Sequence, residues 1–361
     1  MAEMPTRLKD IAKCLNLSIS TVSAVIQNRQ DISQATREKV LQKIDEMGYR
    51  PNGLARGLVT QKSRILGVVV PDLSRSFFAE VTKGIDGVAS SEGYNLLLSN
   101  TEEDPTREDR ALEMLISQRV EGLIIASARK PGSSQPWKKL AAMGIPLVLV
   151  DRRFPTVPFV GVDDERVGYL ATEHLINQGY RRIAHISGPQ TTSTAIGRLK
   201  GYKRALRESG RTPNLDYLVQ AHYHEESSGL DAMRFLLGLP SPPNAVFAAS
   251  DPIAIGSLQA MWQSGLRLPE DTGIIGVGNH RYSQYLRFQL STIDQRRLEI
   301  GKSAARLLLD LIDGKQRAKV ATVLLEPELI IRSSSCRFAS QEYGEHPGLS
   351  RSLASAGGKR V

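Results

Sequence analysis

Ser18-Ile19-Ser20-Thr21-Val22-Ser23-Ala24-Val25-Ile26 is the stretch that decides the N-terminal fold. Ser18 is suited to cap a short helix, its hydroxyl accepting an orphan N–H of the first turn. Val22, Val25 and Ile26 share one apolar face, which leaves Ile19, Ser20, Thr21, Ser23 and Ala24 facing outward or near its edge. Upstream, Leu8-Lys9-Asp10-Ile11-Ala12-Lys13-Cys14-Leu15 has apolar residues at helical spacing, with Cys14 read as a small core residue, and Asn16-Leu17 makes the break. Two short helices around a tight turn form a helix-turn-helix, whose second helix enters the major groove. Any two short helices with a turn satisfy that pattern, so the continuation matters. Ser33 caps a third helix from Gln34 to Met47, with Val40, Leu41, Ile44 and Met47 inward and Gly48 as its stop.

The chain of 361 residues suits two or three domains, and 41% hydrophobic with 24% charged residues is ordinary for a globular protein. No apolar run is long enough to span a bilayer, and Met1 to Arg7 has no signal-peptide core, so a cytoplasmic protein without a membrane role is expected. Cys14 and Cys336 lie at opposite ends of the chain and form no metal-ligand cluster. They read as reduced thiols, with neither metal nor cofactor expected. Of the net charge of +9, +4 falls in residues 1–62 and +2 in the last 25, so its density is highest at the two ends. That is the footprint of a phosphate-binding surface, although a solubilising excess gives the same count.

Beyond a linker, strand and helix patterns alternate. Strands are expected at Ile65–Val70, Asn95–Leu98, Gly122–Ala126 and Pro146–Val150, separated by helices Phe77–Glu92, Thr106–Gln118 and Trp137–Met143. A second set after Asp163 has helices Glu165–Gln178, Ala195–Glu208, Ser228–Leu237 and Pro252–Gln263. Its strands are Arg182–Ile186, Leu218–Gln220, Ala245–Ala248 and Gly273–Val277. A helix Arg297–Ile312 and strands Thr322–Glu326 and Glu328–Arg332 follow. The alternation indicates parallel, doubly wound sheets, with ligands at the carboxyl ends of the strands. Residues 337–361, rich in Ser, Gly and Ala, read as a disordered tail with no heptad seam for a tetramer.

Leu8-Lys9-Asp10-Ile11-Ala12, Ser20-Thr21-Val22-Ser23 and Gly48-Tyr49-Arg50-Pro51-Asn52, in this order and spacing, resemble the lactose-repressor/galactose-repressor family of bacterial transcription regulators. The resemblance continues through Gly67-Val68-Val69-Val70-Pro71-Asp72, Phe77-Phe78-Ala79-Glu80, Arg119 to Ile125 and Gly265 to Asp271, and covers roughly residues 6–336. It implies an all-α helix-turn-helix DNA-binding domain (1–50), a hinge (51–63) and an α/β two-lobed, periplasmic-binding-protein-like core (64–336) for effector binding and dimerisation, followed by the tail (337–361). It also implies three chain crossings between the lobes. The expected function is sequence-specific transcriptional regulation, most simply repression, controlled by a sugar or related polar metabolite. A homodimer on a near-palindromic operator follows from two readers on two half-sites.

The resemblance carries base reading to Ile19, Ser20 and Ala24, where many relatives have Arg in place of Ala24. Alanine makes no bidentate bond to guanine and offers only a methyl contact, or simply good helix propensity. Thr21 and Ser23 are expected as phosphate contacts, and Ser18, the helix cap, completes the expected DNA set. In the hinge, Asn52 and Ala55 belong to the expected DNA set, Arg56 is expected as a minor-groove or phosphate contact, and Leu58 as the wedge in a base step, with core packing its alternative. Two glycines in this short hinge disfavour a helix without DNA.

For the effector, the resemblance implies Phe77 and Phe78 as stacking groups, core packing being nearly as good an account of each. Asp151 and Arg198 are expected to hold ligand polar groups, a salt bridge to a neighbouring acid being the alternative for Arg198. The aromatic lid falls on Tyr223 or, with one residue inserted, His224. Asp251 is a further candidate whose alternative is capping the helix at Pro252. Sugar-binding relatives often have Asn-Asp at Ser250-Asp251 and an acid at Gly278, and Asn279 and Gln295 are possible substitutes. An enzyme is disfavoured because no nucleophile elbow, metal-ligand spacing or Gly-rich phosphate loop is present. A solute-binding protein on the same fold is opposed by the reader and by the missing signal-peptide core.

Overall fold

The computed structural model describes residues 6–26, 29–49, 62–130, 135–222, 225–315 and 321–337. The expected DNA contacts Asn52, Ala55, Arg56 and Leu58, the lid candidates Tyr223 and His224, and the tail beyond Arg337 lie outside these residues.

The reader is three helices, α1 (Leu8–Leu15), α2 (Ile19–Ile26) and α3 (Gln34–Glu46). Asn16 turns the chain in the left-handed region (φ 53°), a conformation that Asn tolerates. Ser18 Oγ accepts the Thr21 N–H at 3.0 Å and Ser33 Oγ accepts that of Thr36 at 3.3 Å, as the cap readings require. Ile11, Ala12, Val22, Val25 and Val40 form the buried core, with Ile44 and Met47 packed against it. Three side chains differ from expectation. Leu41 and Cys14 are exposed, because neither shares the face that Val40 and Ile11 turn to the core. Ala24 is only 7% exposed, so its methyl lies inside rather than on the free face.

Two six-stranded sheets follow. The first lobe contains β1 (Ile65–Val70), β2 (Asn95–Asn100), β3 (Gly122–Ile125), β4 (Leu147–Val150), β5 (Phe159–Val162) and β11 (Thr322–Leu325), in the order β11-β5-β4-β3-β1-β2. All these pairings are parallel. The second lobe contains β6 (Ile183–Ser187), β7 (Leu218–Gln220), β8 (Ala245–Ala248), β9 (Gly273–Val277), β10 (Ser291–Asp294) and β12 (Glu328–Ile330), in the order β12-β10-β9-β8-β6-β7. It is parallel except that β12 runs against β10. The chain passes between lobes after β5, after β10 and between β11 and β12, giving the three expected crossings. β5 and β10 were not expected as strands. Each has four residues, and Ser291-Thr292-Ile293-Asp294 is too polar to show the apolar run of a buried strand.

Helices α4 (Ser76–Ser91), α5 (Pro105–Ser117), α6 (Gln135–Ala142) and α11 (Arg297–Ile312) cover the first sheet. Helices α7 (Asp164–Asn177), α8 (Ser193–Glu208), α9 (Glu226–Leu237) and α10 (Asp251–Gln263) cover the second. Alternate strand residues feed opposite cores: Leu66, Val68 and Val70 pack with α4 and α11, whereas Val69 packs with α5. Neighbouring helices meet almost backbone to backbone. A Cβ on Gly84 would overlap the Leu298 carbonyl of α11, and one on Gly256 would overlap the Glu226 carbonyl of α9. Among the described residues no helix is long and apolar enough to cross a membrane.

Candidate DNA-reading surface and effector cleft

The start of α2 is the free face of the reader. Ile19 is 54% exposed, and Ser18 and Ser20 beside it are exposed as well. Ser18 Oγ lies 2.7 Å from Ser20 Oγ and 2.8 Å from Thr21 Oγ1, so three hydroxyls cluster at the positive end of the helix. Hydroxyls and first-turn N–H groups there are suited to phosphate oxygens, while Ile19 projects an apolar tip. Thr21 and Ser23 are half-buried at the edge of this surface. Ala24 is not on it.

The effector candidates gather where the carboxyl ends of both sheets face each other. A cavity of about 60 Å³ is lined by Phe77, Phe78, Asp151, Arg198 and Gln295, five of the expected residues. α4 carries Phe77 and Phe78 in its first turn, with rings edge to face at 5.1 Å. Phe78 also belongs to the core, so both accounts of that ring hold. Asp151 follows β4 in a left-handed conformation (φ 63°), and burial raises its pKa against the pull of Arg152 and Arg198. Arg198, from α8, donates to Asp164 Oδ1 at 3.0 Å and to the Ala249 carbonyl at 2.7 Å. It is therefore both a cleft wall and the partner of a buried acid. Asp164 is pushed up to about 6 by burial, with Arg198 pulling it down and Asp151 pushing it up.

Two expected residues are placed elsewhere. Asp251 is fully buried and accepts from the His280 N–H at 2.8 Å, Ser283 Oγ at 3.0 Å and Thr292 Oγ1 at 2.7 Å. Its carboxylate is consumed inside the second lobe, and Ser250, not Asp251, caps α10 by accepting the Ile253 N–H. Asn279 donates to Asp294 at 2.8 Å and accepts from Arg332 at 2.8 Å, so its amide ties β10 to the segment after β12 rather than lining the cavity.

Sequence reasoning missed Arg75, Arg152, Thr194 and His280 in the wall. Arg152 stands next to Asp151 in sequence and doubly engages Glu103, at 2.7 Å for each guanidinium nitrogen. Arg75 takes the same carboxylate at 2.7 Å. Burial works against the charge of Glu103, but Arg152 and then Arg75 hold its pKa below the usual range. His280 places its ring against Gly278: a Cβ there would stand 3.0 Å from the imidazole Cδ2 and 3.1 Å from Nε2. Its Nδ1 lies 2.9 Å from the Tyr282 hydroxyl, and burial lowers its pKa, which favours the neutral ring.

An exposed-start helix-turn-helix ahead of a core of two lobes joined by three crossings defines a ligand-responsive DNA-binding regulator. Residues 63–333 match the model described as periplasmic binding proteins and sugar binding domain of the LacI family, and residues 7–52 that of bacterial regulatory proteins, lacI family. The chain is 36% identical to the ribose operon repressor of Haemophilus influenzae over 91% of its own length and 98% of the relative's. It is similar in structure to the lac repressor dimer bound to operator and the anti-inducer ONPF (TM-score 0.84, 26% identity, 92% of this chain and 99% of that one). It is also similar to the transcriptional regulator CelR–cellobiose complex (TM-score 0.70, 30% identity, 91% and 99%). The chain belongs to the LacI family: it is a DNA-binding transcriptional regulator with an effector-binding core, and not an enzyme.

Proposed function

We propose that the protein is a cytoplasmic homodimeric repressor that binds a near-palindromic operator and changes its DNA affinity when a small polar effector occupies the interlobe cavity. The observation that carries this reading is that both lobes build one cavity, with Phe77, Phe78 and Asp151 from one side and Arg198 from the other, and Gln295 on the crossing segment. A ligand touching both lobes binds their closed and open arrangements unequally, which is the requirement for shifting a two-state equilibrium. Ile19 and Ser20 read bases, while Ser18, Thr21 and Ser23 position α2 on phosphates. Twofold pairing of two cores is supported by an apolar groove of about 300 Å³ on the second lobe, where Ile255, Leu258, Leu286 and Phe288 flank Trp262, which is 63% exposed.

The lobe pairing then sets the separation of the two readers, and the coupling expected is about 1–3 kcal/mol. The test is Gln295→Ala. Its side chain lines the cavity on a crossing segment, so the variant should keep ligand-free DNA affinity and lose the effector response. An unchanged response places the effector elsewhere. Sedimentation at micromolar concentration should give a dimer that Trp262→Glu dissociates.

A further inference from the structure

We infer that the effector is an anion: a polyhydroxylated small molecule with a carboxylate or phosphate group that enters the inner cavity. The inference rests on the interlobe reading above and names the ligand chemistry that reading leaves open. Three guanidiniums, those of Arg75, Arg152 and Arg198, line the inner cavity against one carboxylate, Asp151. The other acids that pair with them, Asp72, Glu103 and Asp164, hold the guanidiniums in place without lining the inner cavity. Burial opposes the charge of Asp151, so the guanidiniums are the dominant charged groups that face the inner cavity.

Helix ends reinforce the guanidinium wall. α4, α8 and α10 each turn their N-terminal residues to the cavity, through Phe77, Thr194 and Pro252 respectively. Each end carries a partial positive charge from its unsatisfied N–H groups. α4 begins at Arg75 with no side-chain cap, so its first-turn N–H groups remain available for an acceptor. His280 adds a neutral ring whose Nε2 edge fills the place that a side chain on position 278 would occupy. An acid on that wall would repel an anion, and an imidazole does not.

Volume places the two halves of the ligand. The inner cavity, about 60 Å³, has room for a few waters at roughly 10–15 Å³ each, or for one oxyanion group. It shares Arg75 and Arg152 with an outer mouth of about 400 Å³, large enough for a hydroxylated body. Glu103 and Glu225 line only the mouth, so the carboxylates that can accept from hydroxyls stand at the outer end, while the inner end keeps one, Asp151.

The experiment uses the full chain and the small-molecule extract of the source cells, passed over an anion-exchange resin. The melting temperature of the protein is read with the retained and the unretained fractions. The retained fraction should raise it by a few degrees, and the unretained fraction should not. Phosphatase treatment separates the two sources: a surviving shift assigns a carboxylate, a lost shift a phosphate ester. D-galacturonate against D-galactose and D-gluconate against D-glucose provide defined pairs, with at least tenfold tighter binding expected for an active acid. A shift confined to the unretained fraction, or a neutral sugar that binds as well as its acid, overturns the anion while leaving an interlobe effector in place. A shift with neither fraction overturns both. Arg152→Gln should reduce the retained-fraction shift and leave the response to the unretained fraction at zero.

Discussion

The two lobes share a six-stranded, doubly wound plan, yet they neutralise buried polarity differently. Among the described residues the first lobe contains no histidine, whereas the second holds His174, His185, His222 and His280. Both lobes bury an acid, Asp251 in the second and Glu108 in the first. Glu108 is fully buried and accepts from the Ser127 hydroxyl, the Ala128 N–H at 2.6 Å and Arg129 Nε at 3.0 Å. Burial raises its pKa against these donors. The second lobe buries neutral imidazoles. His185 is stacked on Phe247 at 4.4 Å with its Nδ1 on the Phe247 carbonyl, and His174 Nε2 meets Ser335 Oγ at 2.7 Å. Burial holds both near a pKa of about 4. One topology can thus bury groups with opposite responses to protons, and its imidazoles make the second lobe sensitive to acid.

The comparison can be broken most forcefully at the helix contacts. Gly84→Ala in the first lobe and Gly256→Ala in the second force a methyl into a neighbouring carbonyl, and each should cost about 3 kcal/mol in urea unfolding. A cost near zero at either site would show that its helices can move apart freely. The next effect, of similar size, depends on pH. The unfolded imidazole of His185 takes up a proton below about 6.5 and the folded one only near about 4. Stability from neutral His185 is therefore present above pH 6.5 and is lost as the pH falls from 6.5 to about 4, a change of about 3 kcal/mol. His185→Phe keeps a ring on Phe247 and should flatten that slope, read by unfolding at stepped pH. An unaltered slope would assign the acid sensitivity to His174 or to the first lobe. The smallest effect on stability belongs to the reader: Ile19→Ala should change it by less than about 0.5 kcal/mol because the side chain is exposed. It should nevertheless alter base preference, which affinity measurements on a randomised site will show.

Most helices and the long apolar strands were legible because their periods are local: Ile65–Val70 and Arg297–Ile312 stand as expected. Phe159–Val162 and Ser291–Asp294 were not, since they become strands through neighbours distant in sequence. The site divided in the same way. Phe77, Phe78, Asp151, Arg198 and Gln295 were carried to the cavity by their places at strand and helix ends. Asp251 and Asn279 have similar addresses, but their hydrogen bonds turn into the second lobe. Nothing local in the sequence shows which way a polar side chain at a sheet end will turn. Arg75 and Arg152 were missed for the converse reason, that their role depends on Glu103 brought from another loop.

The central claim is that α2 reads DNA sequence while the interlobe cavity controls that reading, and selection of DNA from a random pool tests it directly. The full chain should enrich a near-palindromic site with two half-sites. Ile19→Ala with Ser20→Ala should enrich different bases within the half-sites at unchanged spacing, and Gln295→Ala should enrich the original site. Enrichment of the original site by the Ile19→Ala, Ser20→Ala protein, or no enrichment by the unaltered chain, would contradict the account.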